Sequence, residues 1–330
     1  MSRRKLKLTN ETESSPIITS DREIFNDITI NDFFELHKKF MEFKALEGLA
    51  PRSLQDHKTH FNYLKNYLET EHRITPVRCL DIDLLRGYIH YMVYEKQYKP
   101  CTINIRLRNL KTFLKWLHNE NYIDIDFSTK LKLVKEPKDT IRPLSDTDVK
   151  KMLKAPNKKA YSGYRDFCLM LLMLDCGIRI TEAINLEVED IDLKVGLVNI
   201  KAENAKTRMF RQVPISNKTC KFLKELINIS KENNCSYVFQ SSFGGKITRN
   251  QIVHNFEDYG KSSGVEQRCT PHVFRHVFAT NFIKAGGDIF VLQKILGHST
   301  LAMCRKYIQL DNSDIIKKHS ETKLLDKYIR

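Results

Sequence analysis

The second half of this 330-residue chain carries two arginines, two histidines and one tyrosine whose types and spacing suit chemistry on a phosphodiester. Arg179 stands in Cys176-Gly177-Ile178-Arg179-Ile180-Thr181-Glu182. His272 and Arg275 stand in His272-Val273-Phe274-Arg275-His276. His298 stands in Leu296-Gly297-His298-Ser299, and Tyr307 follows it by nine residues. A phenol is a weak nucleophile at neutral pH, because its pKa is about 10. It attacks a phosphate only when that phosphate is already neutralised and oriented. Guanidinium groups do this through bidentate hydrogen bonds, and histidines add donors or a proton-transfer group. His272 and Arg275 are about one helical turn apart and project from one face, with Pro271 suited to a helix start. His276 falls on a different face and reads as structural.

Competing chemistries lack their residues. The chain has no Gly-x-Ser-x-Gly elbow, no reactive-cysteine motif, no phosphate-binding Gly-x-x-x-x-Gly-Lys loop and no paired carboxylates for two metals. The expected chemistry is a transesterification without metal or cofactor.

With these four boxes in this order, the chain resembles the tyrosine recombinase (phage integrase) family over nearly its whole length. The resemblance implies that Tyr307 attacks DNA to form a 3′-phosphotyrosyl link. Arg179, Arg275 and His298 would bind the non-bridging oxygens, and His272 would assist positioning or proton transfer. It also implies a general-acid lysine on a hairpin between two strands. Counting back eight residues from Pro214 gives Lys206, with Arg211 in the family's usual basic position and Lys201 and Arg208 as competitors. The familiar Gly-Lys-Gly is replaced by Ala205-Lys206-Thr207. Cys176 stands where the family usually has Ser or Thr, and Cys304 where Thr is common. Expected partners are double-stranded DNA with specific sites and further copies of the chain, as a tetramer on two sites. The implied role is integration and excision or resolution of a mobile element. Xer-type chromosome dimer resolution is the alternative, and a type IB topoisomerase-like activity is a further one.

The elements that must position these residues are mainly helical with a small β-sheet. Residues 1–27 are polar and read as a flexible tail. From 28 to 135 the apolar spacing predicts a four-helix bundle, which the resemblance implies clamps DNA. Asp32, Ser53, Asp81 and Thr102 are candidate caps. Its fourth helix has six basic residues and no acid between Lys96 and Lys115. Arg106, Arg108, Lys111 and Lys115 are therefore candidate DNA contacts, the last three forming one strip. Residues 136–143, with two prolines in a charged run, predict a linker. Residues 144–330 predict an α+β catalytic domain. It opens at the capping Ser145, with strands at 193–200 and 210–215 and a C-terminal assembly helix carrying Ile315, Ile316, Leu324, Leu325 and Tyr328.

The net charge of +15 is concentrated in residues 141–330, which hold 31 Lys and Arg against 20 Asp and Glu. That excess fits a polyanionic partner. Eight cysteines without Cys-x-x-Cys spacing fit a reducing cytoplasm and argue against a zinc site. No signal peptide is read at the start. The longest apolar run, Phe167 to Leu174, is too short to cross a bilayer.

Overall fold

The computed structural model describes residues 24–71, 79–137, 144–205, 209–305 and 307. The chain forms two compact units, 1–139 and 140–330.

In the first unit, a strand β1 (Ile24–Thr29) leads into helices α1 (Ile30–Leu46) and α2 (Pro51–Asn66). A short strand β2 (Cys79–Asp81) leads into α3 (Ile82–His90) and α4 (Pro100–Asn119). β1 and β2 pair antiparallel, a two-stranded ribbon that the helical pattern does not announce. Asp81 caps α3, accepting from Leu84 N at 2.8 Å. The other three expected caps are displaced. Thr29 caps α1 by accepting from Asp32 N, and Asp32 is the third helical residue, whose carboxylate reaches back to Thr29 N. Pro51 and Pro100 start α2 and α4 ahead of Ser53 and Thr102. Proline has no N–H to leave unbonded in the first turn, and its φ is already helical. The four helices bury Phe33, Phe40, Leu64, Leu85, Leu107, Phe113 and Leu117 in one core. Each such side chain contributes about 1.5–3 kcal/mol of transfer free energy.

The same core takes in polar groups. His37 stacks flat on Phe61, with ring centroids 3.5 Å apart. Arg106 is buried between the rings of Tyr63 and Tyr98, at 3.9 and 4.5 Å from their centroids. This corrects the sequence expectation for Arg106. Three residues after Ile103 and four before Leu110, it belongs to the inward stripe of α4 rather than to its exposed face. The basic strip is also partly neutralised by the chain that follows it. Glu136 accepts from Asn104 at 2.6 Å and pairs with Arg108 at 3.5 Å. Lys111 donates to the carbonyl of Leu131 at 2.6 Å. Lys115 is exposed.

The second unit contains α5 (Asp146–Lys154), α6 (Tyr161–Cys176) and the single turn α7 (Ile180–Ala183). A three-stranded antiparallel sheet follows, β3 (Ile191–Asp192), β4 (Leu197–Ile200) and β5 (Arg211–Pro214), in that spatial order. Val198 pairs with Val213, and both face inward. Then come α8 (Asn217–Glu232), α9 (Arg249–Ser262), α10 (Pro271–Lys284), α11 (Ile289–Leu296) and the turn α12 (Ala302–Arg305). Ser145 caps α5 as its sequence predicts. Leu169, Met170, Leu172 and Met173 sink α6 into the core, where it packs against α10 and α8. Asp166 ties this core together. It accepts from Arg165, from Asn255 at 2.7 Å and from Tyr259 at 3.0 Å.

The tail to residue 23 and the C-terminal apolar set lie outside the described residues. So do Lys206, Arg208 and positions 138–143.

Candidate active site

Two glycines build the frame. α6 ends at Gly177 and α11 at Gly297, both left-handed, with φ of 63° and 61°. A Cβ on Gly177 would lie 2.3 Å from the Phe278 ring, and one on Gly297 would lie 3.1 Å from the Arg211 guanidinium. Both helix ends therefore stop sharply, close to their neighbours. Their unpaired terminal carbonyls face inward, where cations satisfy them.

Arginines take those carbonyls. Arg275, from the first turns of α10, donates to Gly177 O at 2.7 Å and Leu296 O at 2.8 Å, so one guanidinium spans both helix ends. Arg179, at the N-cap of α7, donates to Gly297 O at 3.1 Å and to Glu182 at 3.0 Å. Arg211 on β5 donates to Ile295 O at 3.0 Å and grips both Glu182 oxygens, at 3.0 and 2.7 Å. Glu182 is 1% exposed. Burial opposes its ionisation, but the hydrogen bonds and charge of Arg211, then those of Arg179, hold its carboxyl below the usual range. Three arginines around one carboxylate leave an excess of positive charge with fixed geometry. Arg275 feels that excess. Burial first, and then the nearby Arg179, lower its pKa to about 10, against the opposing pull of Glu182 and Tyr307. An anion in the pocket relieves this cost, and such preorganised cations stabilise charge that develops on a phosphate.

His298 follows Gly297 and is buried. Its Nε2 lies 3.0 Å from Arg275 Nη2 and its Nδ1 3.1 Å from Cys304 Sγ. Tyr307 is 5% exposed and packs with Phe278, Leu292 and Leu296. Its ring lies parallel to His298 at 6.2 Å and tilted to His276 at 5.0 Å. Of the predicted set, Arg179, Arg275, His298 and Tyr307 thus converge. His272 is exposed and joins them across a cavity of about 390 Å³ that also borders Arg179, Thr181, Asn204 and Arg249. A second cleft, of about 1050 Å³, also borders Arg179 and is lined by Arg211, His298, Phe210, Phe290 and Met303. His276, read as structural, packs on the tyrosine.

Several alternatives fall away. Lys201 is bound by Glu187 at 2.5 Å, Glu189 at 2.9 Å and Asp190 at 3.4 Å, and these carboxylates push its pKa up. A lysine so held is a poor proton donor. Tyr259, another possible nucleophile, is committed to Asp166, and burial raises its pKa. Glu182 is the functional residue that sequence reasoning used least. Its signal was present three residues after Arg179, but only the fold shows that Arg211 shares it.

The match to known proteins agrees with this pocket. Residues 142–314 match the model of the phage integrase family, and residues 32–133 match the phage integrase SAM-like domain. The chain belongs to the phage integrase family, the tyrosine recombinases. By that membership it is a site-specific DNA recombinase. It is 27% identical to tyrosine recombinase XerC of Thermodesulfovibrio yellowstonii, over 86% of this chain and 94% of that one. It is 26% identical to tyrosine recombinase XerD of Vibrio cholerae, over 83% and 91%. Its fold is similar to the Tn1549 transposon integrase in complex with circular intermediate DNA, with a TM-score of 0.68 at 20% identity, covering 89% of this chain and 99% of that one. It is also similar to a lambda integrase dimer bound to a core site, with a TM-score of 0.68 at 15% identity, covering 86% and 98%. Among the described residues, no helix is long and apolar enough to cross a membrane.

Proposed function

We propose that this recombinase cuts and rejoins double-stranded DNA at specific sites through a 3′-phosphotyrosyl link to Tyr307. The observation that carries the reading is Arg275, buried between two helix ends with His298 beside it and the Tyr307 ring stacked parallel to that histidine. Arg179, Arg275 and His298 bind the non-bridging oxygens as the phenol gives up its proton to a base, His272 or water, and its oxygen attacks phosphorus. The phosphorus–O5′ bond breaks, and Lys206 protonates the departing 5′ oxygen. His272, across the cavity from Arg179, positions the phosphate or moves a proton. The new ester conserves the phosphodiester bond energy, so a second 5′ hydroxyl can reverse the step on another strand.

Four copies acting on two sites, in the cytoplasm, complete the reading. The nearly full-length match to XerC and XerD supports Xer-type chromosome dimer resolution as the alternative to integration and excision or resolution of a mobile element. A two-site plasmid assay run beside a supercoil-relaxation assay tests the class. Exchange between paired sites, lost in Tyr307→Phe, is the expected result. Relaxation of DNA without such sites would contradict it and indicate topoisomerase-like activity.

A further inference from the structure

We propose that Cys304 is a positioning residue that accepts the Nδ1 proton of His298 while Arg275 holds Nε2. A guanidinium nitrogen only donates, so His298 Nε2, 3.0 Å from Arg275 Nη2, must accept. The proton of the neutral ring is then on Nδ1, aimed at Cys304 Sγ at 3.1 Å. Cys304 is fully buried, which holds that direction. Its backbone does a second job. The Cys304 carbonyl accepts from Tyr307 N at 2.9 Å, and its N–H donates to Leu301 O at 2.8 Å. One residue therefore holds the histidine by its side chain and the tyrosine by its main chain.

The consequence rests on the reading of His298 as a phosphate ligand. With Nδ1–H committed to sulfur, His298 donates to a phosphate oxygen through Nε2 only as an imidazolium. Arg275 on α10, Arg179 at the start of α7, Arg211 on β5 across Gly297, and Lys294 on α11 all oppose that charge. Glu182, the Tyr307 phenol and the incoming phosphate favour it. Sulfur is a weak acceptor and adds little support to the imidazolium, whereas a hydroxyl in the same place adds more. This chain, with Cys where the family commonly has Thr, cleaves DNA over a range that ends at lower pH than that of its Cys304→Thr variant.

The test is single-turnover cleavage of a nicked suicide substrate from mildly acidic to mildly alkaline pH, with Cys304→Thr, Cys304→Ser and Cys304→Ala. The hydroxyl variants extend cleavage to higher pH. The alanine variant, which loses only a weak acceptor, contracts it by less than the hydroxyl variants extend it. The near-isosteric serine variant guards against a mere loss of fold. Nitrogen NMR of the DNA-free full chain, with the His298 ring assigned by its loss in His298→Asn, supplies a readout independent of catalysis. Protonation at Nδ1 is expected. A ring protonated at Nε2, or one pH profile shared by all four proteins, overturns the proposal. If the unaltered protein fails to cleave at all, the reading of the pocket falls. The ring-proton assignment is then decided by the NMR signal alone.

Discussion

Glu182 shows how one side chain sets the character of the pocket. It holds Arg179 and Arg211 in place while lowering the local positive charge by one unit. Glu182→Gln keeps the shape and removes the charge, leaving two buried guanidiniums poorly compensated. The expected loss is about 3 kcal/mol of stability, read by urea unfolding at neutral pH. DNA should return part of it, because phosphate replaces the missing charge. A loss below about 1 kcal/mol would mean the arginines are held by the helix-end carbonyls alone. The sign of the pH effect follows from the lowered carboxyl pKa. The stabilisation is present above the ordinary value of 4.5 and fades as pH falls through the lower folded value. At this scale the sequence was informative about chemistry and silent about support. The arginine, His-x-x-Arg, Leu-Gly-His and tyrosine boxes are legible because the spacing survives in the linear chain. That Gly177 and Gly297 present their carbonyl groups to arginines depends on α6 and α11 ending side by side, which only tertiary packing fixes.

Among the elements, α1, α2 and α4 hold an acid-sensitive core. His37, His57 and His60 all have lowered pKa values, with burial as the main cause. Neighbouring cations add to it, His57 acting on His37, His60 and Lys44 on His57, and Arg106 on His60, while Asp56 opposes at the last two. His37 falls to about 3. A depressed histidine binds its proton more readily when unfolded, so stability is intact above the ordinary value of 6.5. It is lost as pH falls from there toward the folded value. His37 alone accounts for about 1.4 kcal/mol per pH unit in that window. Trp116 is the chain's single tryptophan and is buried in this core, so its fluorescence reports the unit within the full chain. Urea midpoints should drop between pH 7 and 5, and less steeply in His37→Phe. Equal drops in both would assign the acid sensitivity to other groups.

The basic face of α4 divides in the same way. Lys115→Ala should lower the slope of log affinity against log salt by about 0.9 if it meets one phosphate. Arg106→Ala should leave that slope unchanged and reduce stability, because it empties the space between Tyr63 and Tyr98. An altered slope for Arg106→Ala would contradict its placement in the core. The burial of Arg106 is legible in its spacing from Ile103 and Leu110, which matches the apolar stripe. The starts of α2 and α4 were equally open to correction from Pro51 and Pro100. The β1–β2 ribbon was not, because its pairing joins segments some fifty residues apart, and no local period marks it.

At the scale of the whole molecule, the chain couples a helical unit with a buried histidine core to a unit whose helix ends are gathered around arginines. The second unit would act by joining Tyr307 covalently to DNA. The most direct measurement is to trap the full chain on a nicked suicide substrate, digest the adduct and map the modified peptide by mass spectrometry. The expected product is a nucleotide attached through its 3′ phosphate to the Tyr307 side chain, with no adduct from Tyr307→Phe although that variant still binds the DNA. Attachment at another residue such as Tyr259, or through a 5′ phosphate, would contradict it.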